Sequence, residues 1–379
     1  MTAYRGLTWD HPRGRTALQT AAERLTQRSD DRLSWDAHPL EGFESTPIEG
    51  LAGDYDLIVL DHPHLGDALE HDCLRPLDEL FPPQELAAWA AATVGPSFAS
   101  YSMAGRTWAL PLDAATQVAA RRADLLPAAP TTWAEALELA RASGAVAPSL
   151  AGPHTFLTWC SIAVGLGGYP AGDDLFPRDV AREAFDILRE LATHAPRGTA
   201  QLNPIQLLER MSTGADLLYV PLIYGYVTYA TGDHPVSFGP PPRTAGRIGS
   251  TLGGTGIAIT RRSEPSAALL DHLRWLLSAD AQTEFIPRHD GQPSARAAWT
   301  SPALDARSGG FYRGTLTTIE GAWIRPRFPG FVAFQSAASA LLRDAVVAHT
   351  DADAAADGIL DRLEQSFRAA RRRTERNAA

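Results

Sequence analysis

The sequence contains no lysine: apart from histidine, all 34 of its basic residues are arginines. That absence excludes Schiff-base chemistry, a P-loop phosphate lysine and the kinase lysine. Cysteine is almost as scarce. Cys73 and Cys160 lie far apart and show no metal-ligand spacing, so they read as buried free thiols rather than as a disulfide framework or a zinc site. No apolar run approaches the roughly 18 residues that a membrane-crossing helix needs. A basic stripe is missing too: the net charge is -10 and the isoelectric point about 5.6, which excludes nucleic acid as the main partner, because displacing counterions from phosphates requires clustered positive charge. The opening residues carry no basic segment followed by an apolar one, and Tyr4–Trp9 already reads as a strand. This leaves two options open, a cytoplasmic protein or one whose leader has been removed.

What is present is enough apolar sequence for more than one core. At 379 residues and 45% apolar composition the chain exceeds the usual size of a single core, so two lobes are expected. The first third alternates strand and helix: Tyr4–Trp9 as strand, Thr16–Arg28 as amphipathic helix, Leu33–Leu40 as strand, and the DLIVLD run Asp56–Asp61 as a buried parallel strand. Units of this kind build a parallel sheet whose ligands gather at the carboxyl ends of the strands. Those ends carry Asp10 and His11, then Asp61, His62 and His64. Phe81–Tyr101 reads as helical, Arg106–Pro111 as a strand, and Leu112–Ala120 as an extended crossing.

Further on, a helix is predicted from a Thr132 cap to about Arg141, with Glu135 completing a capping box. A short strand over Val146–Leu150, helices starting near Pro153, at Asp179 and at Asn203, and a strand over Leu217–Leu222 follow. The glycine-rich turn of Ser250–Thr260 opens a further strand, and helices including Phe331–His349 and Asp353–Ala370 complete the chain, leaving an arginine-rich end expected to be a frayed, solvated helix terminus.

Three segments, taken in order, resemble the extracellular solute-binding proteins of family 1, the maltose-binding-protein-like receptors of ABC importers. Ser102–Gln117 (SMAGRTWALPLDAATQ) is similar to that family's hairpin and strand leading into the first interlobe crossing. Gly253–Trp299, from GGTGIAIT to GQPSARAAW, is similar to the return crossing, and Trp323–Phe334 (WIRPRFPGFVAF) to the loop before the C-terminal helices. The resemblance implies an α/β fold of the periplasmic-binding-protein type II, with two α/β lobes around a hinged ligand cleft. It places residues 1–112 and 256–310 in the first lobe, 113–255 in the second, and the helices of 311–379 mainly in the second.

The resemblance also implies a function: binding, not catalysis, of a small polar solute between the lobes, with a sugar or polyol favoured, no cofactor, ABC permease subunits as partners, a monomeric chain, and a periplasmic or cell-surface location. Asp10, His11, Asp61 and His62 occupy strand-end loops that supply polar ligand contacts in the family, and Asp113 sits at the first crossing. Tyr224 and Tyr226 offer aromatic faces for sugar C–H surfaces, Gly253, Gly254 and Thr255 offer backbone N–H groups, and Trp323 with Arg325 is a candidate to close the cleft. Each residue also has a purely structural role open to it, as a cap, a packing residue or a tight turn. Two other readings stand beside this one: a cytoplasmic binder or sensor of a carboxylate or aromatic acid held by Arg13 or Arg288, and a metal-dependent enzyme using His11, Asp61 and His62.

Overall fold

The computed structural model describes residues 1–170, 174–347 and 352–377. Its strands, in chain order, are β1 (Ala3–Trp9), β2 (Arg32–His38), β3 (Leu57–Leu60), β4 (Ser102–Met103), β5 (Arg106–Thr107), β6 (Leu110–Arg122), β7 (Tyr219–Tyr224), β8 (Val236–Gly239), β9 (Arg243–Thr244), β10 (Arg247–Ile248) and β11 (Leu252–Ile259). The chain divides into two compact units. Unit 1 comprises Met1–Ala115, Gly253–Arg307 and Arg325–Phe331; unit 2 comprises Thr116–Leu252, Ser308–Ile324 and Val332–Ala379. The sequence places the breaks after residues 112, 255 and 310, whereas the units change after 115, 252 and 307, and the short return Arg325–Phe331 was not separated at all.

Unit 1 is a sheet in the order β2-β1-β3-β11, with β1, β2 and β3 parallel and β11 antiparallel to β3. Its central strand is apolar on both faces because both faces are covered. Leu57 and Val59 enter one core together with Leu18, Leu25 and Leu273 from the helices Pro12–Arg28 and Ala267–Leu276. Ile58 and Leu60 enter the other with Ile48, Leu65 and Trp108. The alternation follows from the two-residue period of a strand, and a polar residue at any of these four positions would lose its hydration without gaining a partner. The helical reading of Phe81–Tyr101 is interrupted: helices cover Pro83–Ala92 and Ser97–Ser100, parted by extended Thr93 and by Gly95 at φ +55°.

In unit 2 the second half of β6 lies between β7 and β8, antiparallel to both. The helix His154–Gly165 is buried at every residue. The helix Trp133–Ser143 starts with the expected capping box of Thr132 and Glu135, and Pro204–Thr213 with a second one from Asn203 and Gln206. The expected strand Val146–Leu150 reduces to a single bridge from Val146 to Tyr219. The predicted helix Phe331–His349 runs as Phe331–Val347, its last two residues lying outside the described ones; the final helix is Ala352–Asn377, so the end of the arginine-rich terminus lies outside them as well. Both cysteines are buried free thiols.

Candidate functional site

The carboxyl ends of β1 and β3 hold a dense set of polar groups in unit 1. After β1, Asp10 is exposed and ion-paired with Arg15, while His11 is buried and caps the helix Pro12–Arg28, its Nδ1 accepting the Arg13 N–H at 3.1 Å. The capping role considered for Asp10 therefore falls to its neighbour. Burial, reinforced by Arg13 and Arg15, pushes the His11 imidazole down to about 4, so the ring is neutral at physiological pH. After β3, Asp61 Oδ1 accepts the His62 N–H at 2.8 Å and starts a turn of 3-10 helix, and Oδ2 accepts from the Arg325 guanidinium. Burial alone would raise the Asp61 carboxyl; Arg325 and His62 outweigh it and hold the group well below the usual carboxylate range. His62 is wholly buried and pushed down to about 4, by burial first and by Arg325 second.

Asp113 belongs to unit 1, not to the second lobe where the sequence placed it. It receives the Arg13 fork, Nε to Oδ2 at 2.7 Å and Nη2 to Oδ1 at 2.5 Å, with side-chain exposures of only 4% and 5%. Burial raises the Asp113 carboxyl in spite of that partner, and the Asp61 charge adds to the rise, so the two carboxylates are near enough to act on each other. Buried Tyr101 donates its hydroxyl to Leu60 O at 3.1 Å and feels both carboxylates. Arg327, which also acts on His62, spends its Nη1 on the carbonyls of Ala99, Ser100 and Ser102.

Gly253, Gly254 and Thr255, expected in the second lobe, likewise lie in unit 1. Gly254 is required on two counts: its φ is +85°, and a Cβ there would come within 2.5 Å of Asp113 O. The glycine thus lets β11 approach β6 where Asp113 sits. Thr255 is buried, and its Oγ1 has no hydrogen-bond partner among the described residues. Arg288 is not brought to this cluster; it pairs with Glu284 one helical turn away, with 67% of its side chain exposed.

Unit 2 holds the aromatic candidates. Tyr224 ends β7, is half-buried, packs edge-on against His154 at 5.9 Å and donates its hydroxyl to Leu252 O at 3.4 Å. Tyr226 is buried against Tyr229. Trp323 is half-buried beside Phe176, with backbone hydrogen bonds to Ser250 and Leu252. What sequence reasoning missed in this unit is a buried lattice of short polar side chains. Ser161 Oγ donates to Gln117 Oε1 at 2.5 Å, meets Thr251 Oγ1 at 2.7 Å and accepts the Thr251 N–H at 2.8 Å, while Ser250 Oγ donates to Gln117 O at 2.6 Å. Its members are scattered over three segments, and serine or threonine alone carries no spacing signal. Two open grooves of about 530 and 560 Å³ also lie in unit 2, but no candidate residue lines either.

The side chains named for the two alternative readings are engaged within the protein. Arg13 is committed to Asp113 and Arg288 to Glu284, so neither guanidinium waits for a ligand carboxylate. For a metal enzyme, no group of three or more His, Cys, Asp or Glu side chains among the described residues is placed to hold a metal ion: His11 serves as a helix cap and Asp61 as the partner of Arg325.

The sequence profile of a family described as bacterial extracellular solute-binding protein matches residues 44–298, two thirds of the chain. No curated protein matches in sequence. Among solved structures, an ABC transporter solute-binding protein from Agrobacterium radiobacter K84 in complex with ribitol is 18% identical, with a TM-score of 0.80 over 96% of this chain and 98% of that one. Maltose-bound MalE3 of T. maritima is 19% identical, with a TM-score of 0.79 over 96% and 100%. An ABC transporter solute-binding protein of Agrobacterium vitis S4 with bound D-mannitol is 17% identical, with a TM-score of 0.76 over 98% and 99%. At these identities the likeness establishes the fold, the periplasmic-binding-protein type II architecture expected from the sequence.

Proposed function

The chain belongs to the bacterial extracellular solute-binding proteins, and from that premise we propose that it captures a sugar or polyol as the ligand-binding component of an ABC importer, outside the cytoplasm and as a monomer. The observation that carries the reading is the family match over residues 44–298. Structures of the same fold bound to ribitol, D-mannitol and maltose support the ligand class. So does the chemistry of the candidate residues. In unit 1, Asp61 keeps 20% of its side chain accessible and remains ionised, which suits it to accept hydrogen bonds from ligand hydroxyls. In unit 2, half-buried Tyr224 offers an aromatic face of the kind that stacks on the C–H surface of a sugar. The event is binding and release, and no bond is made or broken.

The reading is tested by calorimetry and thermal shift against ribitol, D-mannitol and maltose. A ligand at a hundredfold excess over its Kd stabilises by about 2.7 kcal/mol, a clear shift. Tyr224→Ala is expected to weaken binding by roughly tenfold, about 1.4 kcal/mol, while leaving the fold intact. If no sugar or polyol binds, or if Tyr224→Ala and Asp61→Asn both bind like the wild type, the reading is wrong.

A further inference from the structure

The two open grooves of unit 2 differ in how their charges are arranged. The groove of about 530 Å³ carries carboxylates and guanidiniums together: Arg178 pairs with Asp361 at 2.9 Å, and Arg368 pairs with Asp174 and Glu364. The groove of about 560 Å³ is lined by Arg121 and Arg243 and, among the described residues, by no carboxylate. In a chain with 44 acidic residues against 34 arginines, this runs counter to the overall balance. Arg121, half-buried near the end of β6, donates from Nη1 to Leu126 O at 2.7 Å and to Pro127 O at 2.9 Å. Those carbonyls fix the guanidinium without neutralising it, and its Nε and Nη2 bind nothing else among the described residues. Arg243 is exposed at the start of β9, where its backbone N–H donates to Thr131 O at 2.9 Å; its guanidinium makes no hydrogen bond or ion pair among the described residues. Glu135, the acid that follows the Thr131–Thr132 wall in the chain, spends its carboxylate on those two residues in the helix cap and does not line the groove.

We propose that this groove is a second binding site, one that takes an organic carboxylate with an apolar body and holds its head on Arg121 and Arg243. The site is separate from the sugar or polyol reading above and does not depend on it. Its volume is that of a small-molecule site, which combines apolar walls with a few polar groups that fix orientation. Pro130, Pro240 and Pro241 supply such walls, since a proline has ring carbons and no N–H to offer. Phe238 adds aromatic carbon. A guanidinium matches a carboxylate with two parallel N–H bonds and is itself weakly hydrated, so little is lost when water leaves it. Because Arg121 is half-buried, salt screens its charge less than on an open surface. An ammonium entering the groove meets like charge, and a neutral solute of the same shape leaves both guanidiniums without a counter-charge. Inorganic phosphate satisfies the arginines but leaves the proline walls uncovered.

The experiment is isothermal titration of the full chain with benzoate, with its neutral isostere benzamide and with inorganic phosphate, at low salt. Benzoate is expected to bind at least tenfold more tightly than either of the others, a difference of about 1.4 kcal/mol. Its affinity should fall as sodium chloride is added, because the contact is ionic. Arg243→Gln removes an exposed side chain that holds nothing else in place, and should weaken benzoate by roughly tenfold while circular dichroism and the melting profile stay as in wild type. Arg121→Gln should weaken it at least as much; if that variant does not fold, Arg243→Gln decides alone. Saturating D-mannitol should leave the benzoate titration unchanged. The proposal is overturned if benzoate does not bind at millimolar concentration, if benzamide or phosphate binds as tightly, or if folded Arg243→Gln binds benzoate like wild type. Displacement of benzoate by D-mannitol overturns it as well, because the carboxylate would then occupy the solute site. None of these failures touches the sugar or polyol reading, which stands or falls on ribitol, D-mannitol and maltose.

Discussion

The Arg13–Asp113 pair makes the strongest quantitative demand on unit 1. Both side chains are nearly inaccessible, at 4% and 5%, so removing either one leaves a charge stripped of water with no counter-charge. Breaking a buried pair in this way costs about 3–5 kcal/mol, a large part of the roughly 5–15 kcal/mol that holds a protein folded. Replacing both members by apolar residues of similar size is a different perturbation, because the desolvation penalty vanishes along with the attraction. Arg13→Met and Asp113→Leu should each destabilise by about 3–5 kcal/mol, whereas the double variant should lie within about 1 kcal/mol of wild type. Two units need not melt together, so a single melting temperature is a poor readout. Hydrogen exchange at the amides of β3, in the middle of the unit 1 sheet, reports the relevant opening free energy. Single variants costing under about 1 kcal/mol, or a double variant costing the sum of both, would refute the pairing.

Two further outcomes follow from local geometry and from proton linkage. Gly254→Ala must adopt φ +85° and push against Asp113 O at 2.5 Å, for a cost of about 2 kcal/mol or more, whereas Gly50→Ala, in the helix Ile48–Ala52 with nothing within 4 Å, should gain about 0.5–1 kcal/mol; urea unfolding showing the same sign for both would contradict this account. The Asp61 carboxyl titrates lower in the folded chain than its unfolded value near 3.9, so its contribution is complete above that pH and is lost as the pH falls through the folded value. The stability difference between wild type and Asp61→Asn should accordingly shrink on acidification below about pH 4, and a difference that stays constant from about pH 6 to pH 3 would show that Asp61 is not held ionised by its neighbours.

How far the sequence could be read depended on the distance over which each feature is decided. The capping box of Thr132 and Glu135 was legible because its partners stand three residues apart, and strand β3 because an apolar run marks a strand covered on both faces. Asp61 and His62 were legible as site candidates for the same reason: a buried parallel strand must end, and polar residues gather where it does. The charge state of that end was not legible. Arg325 was noted near Trp323, but its partner lies 264 residues earlier in the chain, and only the return of Arg325–Phe331 to unit 1 joins them. Arg13 looked available for a ligand acid until the fold set Asp113 against it, 100 residues away. Gly254 shows the same limit from the side of the backbone. A glycine-rich stretch announces conformational freedom, yet whether that freedom serves a ligand or an approaching strand depends on what stands opposite, here the carbonyl of Asp113. Charge counted along the chain is therefore a poor guide to ligand class: Arg13, Asp61 and Asp113, which suggest an acid-binding or metal-binding site one at a time, form the pairs Arg13–Asp113 and Asp61–Arg325 once the chain folds.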